Sequence, residues 1–192
     1  MDLTPHLEAL GPSRINLVLE ALLSSDLRLK ILTVSANRFG LMVAALRLKA
    51  RRLLVGAITT EGEAMNYLMT GLPGLLLCSD RLEAGDSYAM VRQARLLVPD
   101  IRIMMILEEA NPDVAEALSS DVDAIIFAGD IGDPSQPISR GLLAIANRQT
   151  YLSATAKLLL KRQSPGKFVK TIKLTDRQDE ILSMLLNGDT EL

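Results

Sequence analysis

The sequence predicts an α/β fold built on a parallel sheet with helices on both faces. Three observations carry that prediction. Five short apolar runs alternate with five helical stretches between residues 29 and 145, the pattern of strand–helix units laid side by side. One of the runs, Leu75-Leu76-Leu77-Cys78, is apolar throughout, with Pro73-Gly74 in front and a charged, Gly-containing loop behind. A strand covered on both faces needs such a run, where a half-exposed strand would alternate. The composition is 48% hydrophobic but only 3% aromatic, so the core is aliphatic. Right-handed crossovers then leave few topologies.

Taken in order, Thr4-Pro5 opens a short helix that Gly11-Pro12 breaks. Ser13 caps a second, with Ile15, Leu19 and Leu22 on one face, flanked by Val18 and Leu23. The alternation then starts: strand 29–34, helix 39–49 with Met42, Ala45 and Leu46 on one face, and strand 53–58. Thr60 and Glu63 have the spacing of a capping box and begin a helix through Met69, stopped by Gly71-Leu72-Pro73-Gly74. The Leu75–Ser79 strand follows, then a helix over 88–97 and a strand over 101–107. Asn111-Pro112 caps a helix over 113–118. Strand 124–128 and a helix marked by Ile138, Leu142 and Ile145 complete the series. Near the end, Thr175 and Gln178 form another capping box before Ile181, Met184 and Leu185, with Gly188 as a stop.

Charge and cysteine usage narrow the function classes. The net charge is −2, yet Lys157, Lys161, Arg162, Lys167, Lys170 and Lys173 lie in one acid-free stretch, so the body is acidic and the segment near its end basic. That segment either approaches DNA phosphates or is a solvated linker. The lone Cys78 excludes an internal disulfide and a cysteine-clustered metal site. His6 is the only histidine and has no second ligand beside it. The start of the chain lacks a secretory leader, and no apolar run is long enough for a membrane span, so a cytoplasmic protein is expected. No nucleophile–base pair or phosphate-cradling glycine loop is visible, so an enzyme is not expected and no cofactor or metal is assigned.

In open α/β sheets the chemistry gathers at the carboxyl ends of the strands, which directs attention to Ser79. The loop Ser79-Asp-Arg-Leu-Glu-Ala-Gly-Asp86 resembles the Asp-x-Arg-x-Pro-x-x-Asp loop of the receiver domains of bacterial response regulators. Val122-Asp123-Ala124 is similar to that family's Ala-Asp-Gly, and Tyr151-Leu152-Ser153 to its Tyr-Leu-Ser. Residues 174–191, opening Leu-Thr-Asp-Arg-Gln-Asp-Glu-Ile-Leu, resemble the start of the LuxR-type helix-turn-helix of the NarL/FixJ class. The resemblance implies a doubly wound, receiver- or flavodoxin-like sheet of five strands in the order 2-1-3-4-5. It divides the chain into an N-terminal helical extension (1–27), a receiver-like domain (28–156), a basic linker (157–173) and an incomplete helix-turn-helix domain (174–192).

The departures from the pattern matter most. A working receiver places two acids after strand one for Mg²⁺, an acceptor Asp after strand three, a hydroxyl after strand four and a Lys after strand five. Mg²⁺ takes hard oxygen ligands, and the metal and the lysine offset the phosphoryl charge. The resemblance puts Ser35 and Ala36, Ser79, Leu107 and Ala128 at those positions. Each lacks the required chemistry, which implies a pseudo-receiver. Asp80, next to Ser79, is the alternative as a displaced acceptor. Asp80, Glu83, Asp86, Glu108, Glu109, Asp130 and Asp133 all fall in loops after strands three to five, where they read as solvated acids near helix N-termini.

Three functions compete. The first is a DNA-binding transcription regulator that acts through a homodimer or a signalling partner, without phosphorylation and without a membrane. On that reading Lys167, Lys170, Lys173 and Arg177 contact DNA phosphates. The second is an adaptor that docks a signalling protein and binds no DNA. The third is a receiver phosphorylated on Asp80. The chain given ends at Leu192, before any second helix that could read bases.

Overall fold

The computed structural model describes residues 30–50, 53–133 and 135–163. The expected helices before residue 28, His6, Lys167, Lys170, Lys173, Arg177 and the helix-turn-helix opening lie outside the described residues.

The strands are β1 (Ile31–Val34), β2 (Leu54–Ile58), β3 (Leu75–Ser79), β4 (Arg102–Leu107), β5 (Ala124–Phe127) and β6 (Tyr151–Leu152). The helices are α1 (Arg38–Ala50), α2 (Glu61–Gly71), α3 (Ser87–Leu97), α4 (Val114–Ser119), α5 (Pro137–Ala146) and α6 (Ala154–Gln163). A 3₁₀ turn, Ala128–Asp130, follows β5. The sheet order is β2-β1-β3-β4-β5-β6, with every pairing parallel. The five expected strands stand in the expected order. The two-residue β6 adds a sixth at the edge, because Tyr151 N–H reaches the Asp123 carbonyl and Ser153 N–H reaches that of Ile125.

Strand register builds the core in rows. Val34 pairs with Cys78, Cys78 with Met105 and Met105 with Ile125, and all four face one apolar layer. Helices α2, α3, α4 and α6 close it with Leu68, Met90, Val114 and Leu160 among others. Ile31, Leu75, Met104 and Ala124 face the other layer, closed by Leu142 and Ile145 of α5. This alternation is the period of two expected of a strand buried on both faces. Gly141 lets α5 approach closely, since a Cβ there would lie 2.9 Å from Met104 Cε.

The capping signals are partly where the sequence puts them. Thr60 accepts the Glu63 N–H at 3.4 Å, and its hydroxyl donates to the Glu63 carboxylate. The cap of α4 is Asp113, not Asn111-Pro112: its carboxylate accepts the Glu116 N–H at 2.8 Å. An Asp directly before the first helical residue outcompetes a cap two residues earlier because its oxygen reaches the N3 donor. The expected packed face of α1 also differs. Met42 and Leu46 are 53% and 63% exposed, while Leu41 is buried. The helix is apolar on more than one side, so periodicity alone does not select the side that meets β1 and β2.

The expected linker start at residue 157 falls inside α6. Leu160 is buried in the core, and Gln163 donates to the Pro112 carbonyl at 2.6 Å and accepts the Val114 N–H at 3.1 Å. The basic residues Lys157, Lys161 and Arg162 are therefore helical.

Candidate functional site

The carboxyl ends of β1, β3, β4 and β5 meet at a cavity of about 390 Å³ lined by Ala36, Asn37, Arg81, Glu108 and Ala128. Parallel strands place all four ends on one edge, and the connecting loops form its walls. Two of the five positions singled out from the sequence, Ala36 and Ala128, line the cavity directly. Ser35 is not among the lining residues, and its hydroxyl accepts the Asn37 N–H at 3.0 Å. Leu107 is fully buried in the apolar core.

Ser79 closes β3 with its hydroxyl already engaged. It donates to Glu108 Oε2 at 2.9 Å and accepts the Arg81 N–H at 3.0 Å. Asp80 is buried as well. Its Oδ1 accepts the Glu108 N–H at 2.7 Å, and its Oδ2 accepts the Glu109 N–H at 3.3 Å. Burial pushes the Asp80 carboxyl above its ordinary value, although the two N–H donors pull the other way. Ser79 and Asp80 together fasten the β4–α4 loop to the end of β3.

The loop after β3 is braced on three sides. Glu83 meets Arg38 through a two-pronged pair at 2.5 and 2.9 Å, and Thr59 donates to it at 2.9 Å. The Arg38 guanidinium and the Thr59 hydroxyl hold the Glu83 carboxyl down to about 2. Ala36 N–H reaches the Arg81 carbonyl at 2.9 Å. Asp86 caps α3, accepting the Tyr88 and Ala89 N–H groups at 2.8 and 3.1 Å. Asp123 accepts from Arg95 and from the Ile103 N–H, each at 2.7 Å, tying α3 to β4. Ser153 Oγ accepts the Phe127 N–H at 3.0 Å. Asp130, one of the loop acids, caps α6 by accepting from the Thr155 N–H and hydroxyl at 3.1 and 2.6 Å.

Asn37 and Arg81 were not singled out from the sequence. Asn37 carries a signal: its side chain accepts the Gly40 N–H at 3.0 Å, the geometry of a cap just past a strand end. Arg81 carries one as well, since it falls on the Arg of the Asp-x-Arg-x-Pro-x-x-Asp pattern that the loop resembles, but nothing in the sequence places it at the cavity.

The residues do not fit Mg²⁺. Ser35, Ala36 and Ser79 supply no carboxylate where the receiver pattern needs three, and both oxygens of Asp80 are turned to backbone donors. Among the described residues, no group of three His, Cys, Asp or Glu side chains is arranged to hold a metal ion.

No family model and no curated protein matches the chain. Solved structures of RcsB do. A structure of two RcsB dimers bound to two parallel DNAs has a TM-score of 0.60 at 16% identity, covering 83% of this chain and 77% of that one. The two-component response regulator RcsB–DNA complex gives 0.61 at 14%, with the same coverage. The isolated REC domain of RcsB from Salmonella enterica serovar Typhimurium, in the presence of phosphomimetic BeF3−, gives 0.57 at 15%, covering 68% and 97%. The fold is that of a response-regulator receiver domain. At these identities the likeness is one of fold. Among the described residues, no helix is long and apolar enough to cross a membrane.

Proposed function

We propose that the chain belongs to a DNA-binding transcription regulator of response-regulator type whose receiver-like domain is not phosphorylated and acts through dimerisation or partner binding. One observation carries the reading: the acceptor position holds Ser79, with its hydroxyl committed to Glu108 and Arg81, beside a cavity walled by Ala36 and Ala128. Ser79 offers no carboxylate to accept a phosphoryl group, and Ser35 and Ala36 offer none to hold the Mg²⁺ that phosphoryl transfer to a receiver needs. The hydrogen bonds that the Asp80 carboxylate accepts from the Glu108 and Glu109 N–H groups tie the β4–α4 loop to β3 without a phosphoryl group.

The same loop leads to the tail. Pro112 and Val114 are bonded to Gln163, the last residue of α6, so the held loop also sets the point from which residues 164–192 depart. DNA contact by Lys167, Lys170, Lys173 and Arg177, and base reading by helices of a complete helix-turn-helix domain, belong to this proposal. So does a cytoplasmic homodimer. The DNA-bound RcsB structures support it by analogy of fold.

The test is incubation with acetyl phosphate and Mg²⁺, followed by intact-mass measurement. No mass gain is expected. A stable, Mg²⁺-dependent gain of one phosphoryl group, lost in Asp80→Asn, would replace this reading with a receiver phosphorylated on Asp80. Absence of specific DNA binding by a longer form carrying a full helix-turn-helix would instead favour the adaptor reading.

A further inference from the structure

Helix α1 presents Phe39, Met42, Val43 and Leu46 to solvent, with exposures of 73%, 53%, 40% and 63%. They fall at i, i+3, i+4 and i+7, one continuous stripe opposite the side where Leu41 is buried. An apolar stripe of this width on a receiver surface marks a contact.

The sequence contains a matching stripe. Ile15, Val18, Leu19 and Leu22 repeat the same spacing 24 residues earlier. The two stripes pair at one constant offset, Ile15 with Phe39, Val18 with Met42, Leu19 with Val43 and Leu22 with Leu46.

The place where the segment joins the fold favours its own α1 as the partner. Residue 30 leads into β1, and the Ile31 N–H bonds the Leu53 carbonyl at 2.8 Å. Leu53 lies just past the end of α1, so the chain before β1 starts at the C-terminal end of that helix. Residues 24–30 span at most about 25 Å when extended. Reaching the outer side of α1 takes two layer steps of about 10 Å each. This suffices for residue 23 to sit beside Leu46, with the segment running parallel to α1. Seating it the other way would add most of the roughly 20 Å length of α1 and exceed the tether.

We propose that residues 13–23 dock along the outward face of α1 of the same chain, covering Phe39, Met42, Val43 and Leu46. Such docking requires neither phosphorylation of the domain nor DNA binding. The N-terminal extension is then part of the domain, and α1 is closed to a second copy.

The test is hydroxyl-radical footprinting of the full chain, read at Met42 and Phe39 by mass spectrometry at low and high protein concentration. Buried Met104 serves as the reference. Slow labelling of Met42 is expected at both concentrations, becoming several-fold faster in Leu19→Glu/Leu22→Glu with Met104 unchanged. A second measurement does not depend on that variant folding. Leu22→Cys/Leu46→Cys should form an intrachain disulfide in the monomer, while a mixture of the two single variants gives no cross-linked dimer; the native Cys78 is buried and does not interfere. Fast labelling of wild-type Met42, labelling unaltered by the double Glu variant, or no intrachain disulfide overturns the proposal. Protection seen only at high concentration, or a dimer from the mixture, overturns it in favour of a second copy.

Discussion

The carboxylate of Asp80 receives the backbone N–H of Glu108 at 2.7 Å, so the end of β3 is fastened to the first residue after β4. Removing that carboxylate leaves the Glu108 and Glu109 N–H groups without their acceptor. Asp80→Ala should cost about 1–3 kcal/mol, the penalty of buried donors left unpaired. Urea unfolding measures it, and a change under about 0.5 kcal/mol would show that solvent replaces the carboxylate.

Asp80→Asn separates the charge from the hydrogen bond. The amide oxygen keeps the Glu108 donor but does not titrate. The folded-state value of Asp80 is raised, with burial the main cause. A raised carboxyl contributes its full stability below the unfolded value of about 3.9 and loses it as pH rises through the folded value. Wild type should therefore gain on Asp80→Asn as pH falls from about 8 toward about 4. Parallel melting curves of the two proteins across that range provide the check; a constant gap contradicts it.

Gly85 has φ +97, and a Cβ there would lie 2.4 Å from Glu61 Cβ. The obstructing atom sits at the root of the Glu61 side chain and cannot swing aside. The neighbouring Ala84 bridges to Thr60, and the Asp86 N–H bonds Glu61 at 2.9 Å, so the turn holds the loop after β3 against α2. Gly85→Ala should destabilise by about 1–3 kcal/mol. Gly62→Ala, where nothing lies within 4 Å, is the control and should be neutral or stabilising in the same unfolding assay.

Strand positions were legible because burial on both faces forces unbroken apolar runs, as at Leu75–Cys78. The motif residues also had structural meaning that spacing could indicate: Asp86 caps α3 and Asp123 joins Arg95 to β4. Less legible was anything decided by which of two adequate options packs. Helix α1 is apolar around most of its circumference, so its sheet-facing side depends on how the β1–α1 loop launches it. Strand β6 is only two residues long, below the length at which a pattern exists. The α6 boundary was hidden because Lys157, Lys161 and Arg162 read as linker charges, although their helix buries Leu160 between them. The cavity was legible as an edge of the sheet, but Arg81 enters it through loop geometry that no periodicity encodes.

Arg95 is a hub that neither lysine nor alanine can reproduce. It donates to Asp123 at 2.7 Å, to the Asp121 carbonyl at 2.8 and 3.2 Å, and to the Ile101 carbonyl. Its side chain and that of Asp123 are only 16% and 18% exposed, so solvent screens the pair weakly. Arg95→Ala should cost about 2–3 kcal/mol. Arg95→Lys should recover less than half, because a point charge cannot serve acceptors in three directions. Full recovery by lysine would mean that charge alone matters there.

Gln163 joins the end of α6 to the start of α4 through both ends of its amide, accepting the Val114 N–H at 3.1 Å and donating to the Pro112 carbonyl at 2.6 Å. Gln163→Ala should cost about 1 kcal/mol in global stability, the net worth of a modest hydrogen-bond pair. The larger effect should be local. Val114 N–H lies at the first turn of α4, where helix donors have no partner within the helix. Its amide should exchange with solvent much faster in the variant, while amides of β3 and β4 keep wild-type protection. Gln163→Glu should restore acceptance from Val114 but lose the donation to Pro112, giving intermediate exchange. Hydrogen exchange read residue by residue distinguishes these outcomes. Unchanged Val114 exchange in Gln163→Ala would show that water serves the donor equally well, and that α6 leaves the β4–α4 loop without mechanical connection to the tail.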